Sequence, residues 1–136
     1  MGSPGAWPRA VTGATLDTGA LIALESGSTR MAALVEEALV GRAELAIPAG
    51  VLAQAWRGGR RQARIARLLG ASSTSIISLD AKLAMRVGAR CAVTRTADVV
   101  DVSVAICAKD RGHPVVTSDP DDIAAIDPAL KLVRPT

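Results

Sequence analysis

Carboxylates are the groups best placed to do chemistry in this chain of 136 residues. It has one histidine, His113, and its two cysteines, Cys91 and Cys107, form no CxxC pair. Those counts exclude most zinc sites and disfavour a Ser–His–Asp triad, and both cysteines read as buried thiols. Asp17 ends an apolar run in Leu16–Asp17–Thr18–Gly19–Ala20–Leu21, and Asp119 does so in Val115–Val116–Thr117–Ser118–Asp119–Pro120. Taken singly, each is a helix N-cap. Asp98 and Asp101, at i and i+3, share a helix face. Asp98 is the natural cap and Asp101 then sits at N3, opening the apolar stretch Val99–Ala108. An ionised carboxylate there needs a partner or a metal. Acids from three segments meeting at one edge repel unless a cation lies between them, and hard divalent ions such as Mg²⁺ take oxygen ligands.

Short apolar runs alternating with helical patterns must position these groups. Strands are expected at Ala14–Leu16, Leu45–Ile47, Thr74–Leu79, Pro114–Thr117 and Leu130–Val133. The helices expected between them are Thr18–Leu24, Thr29–Val40, Ala49–Trp56, Gln62–Leu69, Ala81–Val87, Val99–Ala108 and Asp121–Ile126. Pro48 suits a first helical turn, Asp80 is a cap, and Gly70 and Gly88 end two helices. The alternation implies right-handed crossovers and an α/β three-layer sandwich around a mainly parallel sheet of four to five strands. Ligands of such sheets sit beyond the carboxyl ends of the strands. Asp17 and Asp119 both fall on that edge.

The 49% apolar content suffices for one core, expected over residues 14–136 after a loose leader, 1–13, that contains Trp7. The longest uncharged stretches, Leu45–Trp56 and Leu68–Leu79, have 12 residues each, short of the ~20 a membrane span needs. The leader lacks the basic and apolar regions of an export signal, so a cytoplasmic location is expected. With no Phe, no Tyr and two Trp, single-strand binding by stacking on aromatic platforms is disfavoured.

The run Leu16–Leu21, the Asp101 helix and Thr117–Asp119, with 18 residues from Asp101 to Asp119, resemble the PIN-domain ribonucleases, in particular VapC-type toxins of toxin–antitoxin pairs. The resemblance spans roughly Ala14 to Ile126. It implies four acidic positions around one or two Mg²⁺ or Mn²⁺ ions, a hydroxyl at Thr117 that bonds ligand or phosphate, a protein antitoxin and a homodimer. Asp17, Asp101 and Asp119 match three acidic positions. The fourth, usually Glu on the helix after the second strand, falls on Gln54, which carries no charge; Asp98, Asp121 and Asp122 are the acids available to compensate. The apolar first helices, with Leu21, Leu24, Leu34 and Leu39, are candidates for part of a dimer surface.

Net charge is +3, with 13 Arg against 3 Lys, and arginine presents a rigid fork suited to phosphate. Arg57, Arg60, Arg61, Arg64 and Arg67 would fall within about a third of a helix circumference, although Gly58 and Gly59 interrupt the start. The stripe is either a solvated face, an RNA-phosphate track or a contact for acidic residues of a partner. Two functions stand against each other: a metal-dependent endoribonuclease acting on structured RNA, and a PIN-like RNA- or antitoxin-binding module weakened in catalysis by Gln54. A phosphoacceptor receiver domain fits poorly because Asp17 stands alone, and an Asp-x-Asp phosphatase because Gly19 replaces the second acid.

Overall fold

The computed structural model describes residues 12–136; the leader, including Trp7, lies outside them up to residue 11. Five strands, β1 (Gly13–Leu16), β2 (Glu44–Pro48), β3 (Thr74–Ile77), β4 (Val115–Val116) and β5 (Leu132–Val133), form one sheet in the order β3-β2-β1-β4-β5. Every pairing is parallel. A parallel sheet is covered on both faces, so its central strands need continuous apolar runs rather than alternation. All four residues of β1 are buried, as are four of the five in β2. Glycine at the start of β1 is required by space. A Cβ at Gly13 would run into the Glu44 carbonyl oxygen and stand 2.6 Å from His113 Nε2.

Seven helices link the strands: α1 (Thr18–Glu25), α2 (Thr29–Val40), α3 (Ala49–Ala55), α4 (Ala63–Leu69), α5 (Ala81–Thr94), α6 (Val99–Arg111) and α7 (Pro120–Ile126). The connections from β1 through β2 to β3 build one side of the sheet outward, and the long return to β4 reverses direction. Right-handed crossovers then set α6 on the face opposite the early helices. Helix α6 lies across β1, β2 and β4, while α1 packs with α2, α3 and α4. Six residues of α6, including Val102, Val104 and Ala108, are buried, in keeping with its nearly continuous apolar sequence.

Helix α5 overturns one expectation. It continues through Gly88 to Thr94 and ends at Arg95, whose φ of 55° is left-handed. It packs on α6 and α7, and Val87 is its one buried residue. Val87, with Leu83 and Cys91, joins a small second core containing Val102, Ala105 and Ile126. That packing spans Gly88 and outweighs its poor helix propensity, a cost of roughly 1 kcal/mol. Cys91 is half-buried rather than buried, and Cys107 is buried; both are free thiols. Leu21, Leu24 and Leu34 belong to the main core and Leu39 packs against it. Those leucines are therefore spent on the fold instead of on a dimer surface. Among the described residues no helix is long and apolar enough to cross a membrane.

His113 is a buried turn residue at the opposite edge from the acids. Its Nδ1 lies 3.1 Å from Thr15 Oγ1 and its Nε2 3.4 Å from Glu44 Oε1. Burial holds its pKa below the usual imidazole value.

A Cβ at Gly88 meets nothing within 4 Å. Gly88→Ala should therefore stabilise the protein by about 0.5–1 kcal/mol through helix propensity. Gly13→Ala should destabilise it. Urea denaturation measures both, and a loss of stability in Gly88→Ala would contradict the continuous α5.

Candidate active site

Strand order reverses between β1 and β4, and such a switch point opens a crevice at the carboxyl ends of the strands. Asp17 directly follows β1, and its backbone N–H continues the ladder to Val116 O at 3.1 Å. Its side chain caps α1, accepting from Ala20 N–H at 2.8 Å. The carboxylate is only 5% exposed. Burial raises its pKa, the Thr117 hydroxyl and the Ala20 N–H oppose the rise, and the charge of Asp119 adds to it. Thr117 is fully buried. Besides bonding Asp17, its Oγ1 accepts from Asp119 N–H at 2.9 Å. One hydroxyl thus ties together the two acids that follow β1 and β4.

Asp119 occupies the N-cap position of α7, yet its side chain makes no cap hydrogen bond. Its Oδ2 has only a 3.5 Å contact from Ser118 Oγ. The carboxylate is therefore available to a ligand. Gly19 permits this approach: a Cβ there would collide with Ser118 Oγ and lie 2.9 Å from Ser118 Cβ. Sequence reasoning missed that contact. Its signal was a glycine in the first turn of α1, where no helix propensity calls for one.

Asp98 caps α6 as expected, accepting from Asp101 N–H at 2.9 Å. Asp101 is pushed up to about 7, first by burial, then by the charge of Asp98 and a hydrogen bond with it, with Asp122 and Asp17 contributing further like charge. It opens with Asp98 and Asp122 onto a cavity of about 220 Å³ that Thr94 and Thr96 also line. Asp17 is thus grouped with Thr117 and Asp119, and Asp101 with Asp98 and Asp122. The two groups sense each other through Asp17 and Asp101.

Gln54 lies on α3 with an exposed side chain. Its Oε1 accepts a hydrogen bond from Thr18 Oγ1 at 2.5 Å. Thr18, the residue after Asp17, is a second feature the sequence reading passed over. The donor set Asp17, Asp101, Asp119 and Asp98 is all oxygen, and none of these acids forms an ion pair with a cationic side chain among the described residues, which is the chemistry a hard divalent ion fits. Among the described residues, no three acidic side chains already stand as a closed cage.

The arginines do not lie on one helix. Arg57 follows the end of α3 and donates to the carbonyls of Ala53 and Trp56. Arg60 and Arg61 sit in a 3-10 turn, Arg60–Gln62, and Arg64 and Arg67 in α4. Gln62 clamps the intervening turn: its oxygen accepts from the N–H groups of Arg57 and Gly58, and its amide donates to Ala55 O. Arg64 donates to Glu25 O. The side chains of Arg60, Arg61 and Arg67 have no hydrogen-bond or ion-pair partner among the described residues and are exposed.

The PIN-domain family model matches residues 14–127. The chain belongs to the PIN-domain family. The match begins in β1 and ends just after α7, so it contains Asp17, Gln54, Asp98, Asp101, Thr117 and Asp119. Among solved structures, FitAB bound to the IR36 DNA fragment contains a chain with the same fold. The TM-score is 0.62 at 17% identity, over 89% of this chain and 94% of that one. No curated protein matches the chain. For this PIN domain, the five-stranded parallel sheet with helices on its faces is the architecture expected from the sequence.

The raised pKa of Asp101 has a definite sign in stability. The folded value of about 7 lies above the ordinary 3.8, so the folded state binds the additional proton between those values. Stability contributed by that proton is present at low pH and is lost as pH rises through about 7. Asp101→Asn should melt higher than the wild type at pH 8 in a chelator, with the difference shrinking toward pH 4. A variant that melts lower at pH 8 would contradict the like-charge crowding.

Proposed function

We propose that this PIN domain is a metal-dependent endoribonuclease acting on structured RNA, the toxin of a toxin–antitoxin pair. One observation carries the reading: the carboxylates of Asp17 and Asp119 flank the switch point, and Asp101 couples to Asp17 from α6. Asp17, Asp101 and Asp119 would hold Mg²⁺ or Mn²⁺, with Asp98 beside them. Because no three acids stand as a closed cage, binding requires side-chain rotation. Asp119 is the readiest, since no cap bond restrains it. Asp17 is the most fixed, held by Ala20 and Thr117. When bound, the ion supplies Lewis acidity for in-line attack of water on the phosphorus. Thr117 acts as a positioning residue, because its buried hydroxyl is used on Asp17 and on the Asp119 backbone.

The RNA track is narrower than the five arginines of the sequence pattern. Arg60, Arg61 and Arg67 have free guanidinium groups, whereas Arg57 and Arg64 make backbone contacts that hold the turn and α4 in place. An antitoxin protein and a second copy of the chain complete the partners in this reading, and the reaction belongs in the cytoplasm. Met85 and Val93 on α5, each 71% exposed, are better placed for a dimer contact than the core leucines.

The competing reading, a binding module without cleavage, draws support from Gln54, whose oxygen is already engaged by Thr18. Incubating end-labelled structured RNAs with Mn²⁺ and Mg²⁺ separates the two. The wild type should cut only with metal, and Asp17→Asn should lower the rate at least 100-fold, the scale of losing a group that organises the metal. Equal cutting by both proteins, or none by the wild type, would defeat the nuclease reading.

Charge reversal at Arg60 and Arg61 should reduce the steepness with which RNA affinity falls with salt. Each neutralised phosphate contributes a slope of about 0.7–0.9 on logarithmic axes. An unchanged slope would remove these residues from the RNA contact.

A further inference from the structure

We propose that Ser118 is a positioning residue of the acidic edge: its hydroxyl, seated in the slot that Gly19 leaves open, holds the Asp119 carboxylate on the side of Asp17. The inference rests on the reading of that edge as a cation site. The Asp17 carboxylate is fixed by the Ala20 N–H and the Thr117 hydroxyl, whereas the Asp119 side chain makes no cap bond. Its side-chain contact is with Ser118, whose Oγ lies 3.5 Å from Asp119 Oδ2. An ionised carboxylate only accepts hydrogen bonds, so the serine is the donor.

The place of that hydroxyl is imposed by its surroundings. Backbone bonds pin the segment on both sides of Ser118: Thr117 N–H donates to Val133 O at 2.9 Å, and Asp119 N–H to Thr117 Oγ1 at 2.9 Å. The first turn of α1 forms the opposing wall. A Cβ at Gly19 would collide with Ser118 Oγ, lie 2.9 Å from Ser118 Cβ and stand 3.4 Å from Asp17 Oδ1. Ser118 Oγ thus occupies the space that a side chain at residue 19 would fill, and that space adjoins Asp17. Glycine is a poor residue for a helix on propensity; here it admits a hydroxyl between the carboxylates that follow β1 and β4.

Hydrogen bonds from outside a cation's own ligands orient those ligands and strengthen binding. Ser118 supplies one to the acid that nothing else restrains. At 3.5 Å the contact steers the carboxylate without consuming it, which leaves the remaining lone pairs of Asp119 to a cation.

The test is calorimetric titration of Mn²⁺ without RNA, with thermal melts in a chelator alongside. Ser118→Ala keeps the Cβ and removes only the hydroxyl. It should melt with the wild type yet bind Mn²⁺ about tenfold more weakly, the lower end of losing such an outer partner. Ser118→Thr keeps the hydroxyl at an exposed position and should restore most of the affinity. Gly19→Ala should weaken Mn²⁺ on its own but add nothing to Ser118→Gly, where the hydroxyl is already gone. Unchanged Mn²⁺ affinity in Ser118→Ala, with Asp119→Asn weakened, overturns this proposal alone. It is also overturned if Ser118→Ala melts well below the wild type, or if Ser118→Thr binds as weakly as Ser118→Ala, because packing would then carry the effect. A wild type that binds no Mn²⁺ overturns the cation-site reading and this proposal together.

Discussion

The site depends on holding negative charge inside a closely packed sheet edge. Asp17 is nearly buried, and an ionised carboxylate in that position survives only where donors are aimed at it. Two donors are Ala20 N–H, at the start of α1, and the Thr117 hydroxyl, at the end of β4. The carboxylate therefore joins the first crossover to the strand that arrives last in the sheet's centre. Gly19 lets the two segments approach closely enough for this, and the reversal of strand order brings them side by side.

This arrangement sets stability against function. The acids of α6 and α7 add to the burden: burial and three neighbouring carboxylates push Asp101 up to about 7. A protein optimised for stability alone would replace one of them with a neutral residue. Asp98, Asp101, Asp122 and Asp17 instead crowd like charge into one small region, where a bound cation would relieve it. The main core, by contrast, is built from ordinary apolar packing among β1, β2, β4 and the helices.

Much of this was legible in the sequence because the signals were local. The apolar runs of β1 and β2, the caps at Asp17, Asp80 and Asp98, and the apolar α6 follow from residue types and their spacing. The alternation of strands and helices then gave the layers and the carboxyl-end position of the acids. What escaped the sequence depended on contacts between distant segments. Helix α5 runs through Gly88 because Val87, Leu83 and Cys91 find partners on α6 and α7. The arginines look like one helical stripe, but Gln62 clamps a turn between α3 and α4 and divides them. Leu21, Leu24 and Leu34 look equally suited to core and interface until the fold assigns them to the core. The Thr18–Gln54 bond spans 36 residues, and nothing in either local sequence announces it.

The most direct test of the account is calorimetric titration of Mn²⁺ into the purified protein at neutral pH, repeated for Asp17→Asn, Asp101→Asn and Asp119→Asn. The account requires saturable binding by the wild type and at least tenfold weaker binding in all three variants, since the carboxylates act on one ion from three segments. Binding that all three substitutions leave unchanged, or its absence in the wild type, would contradict a shared cation site at this edge.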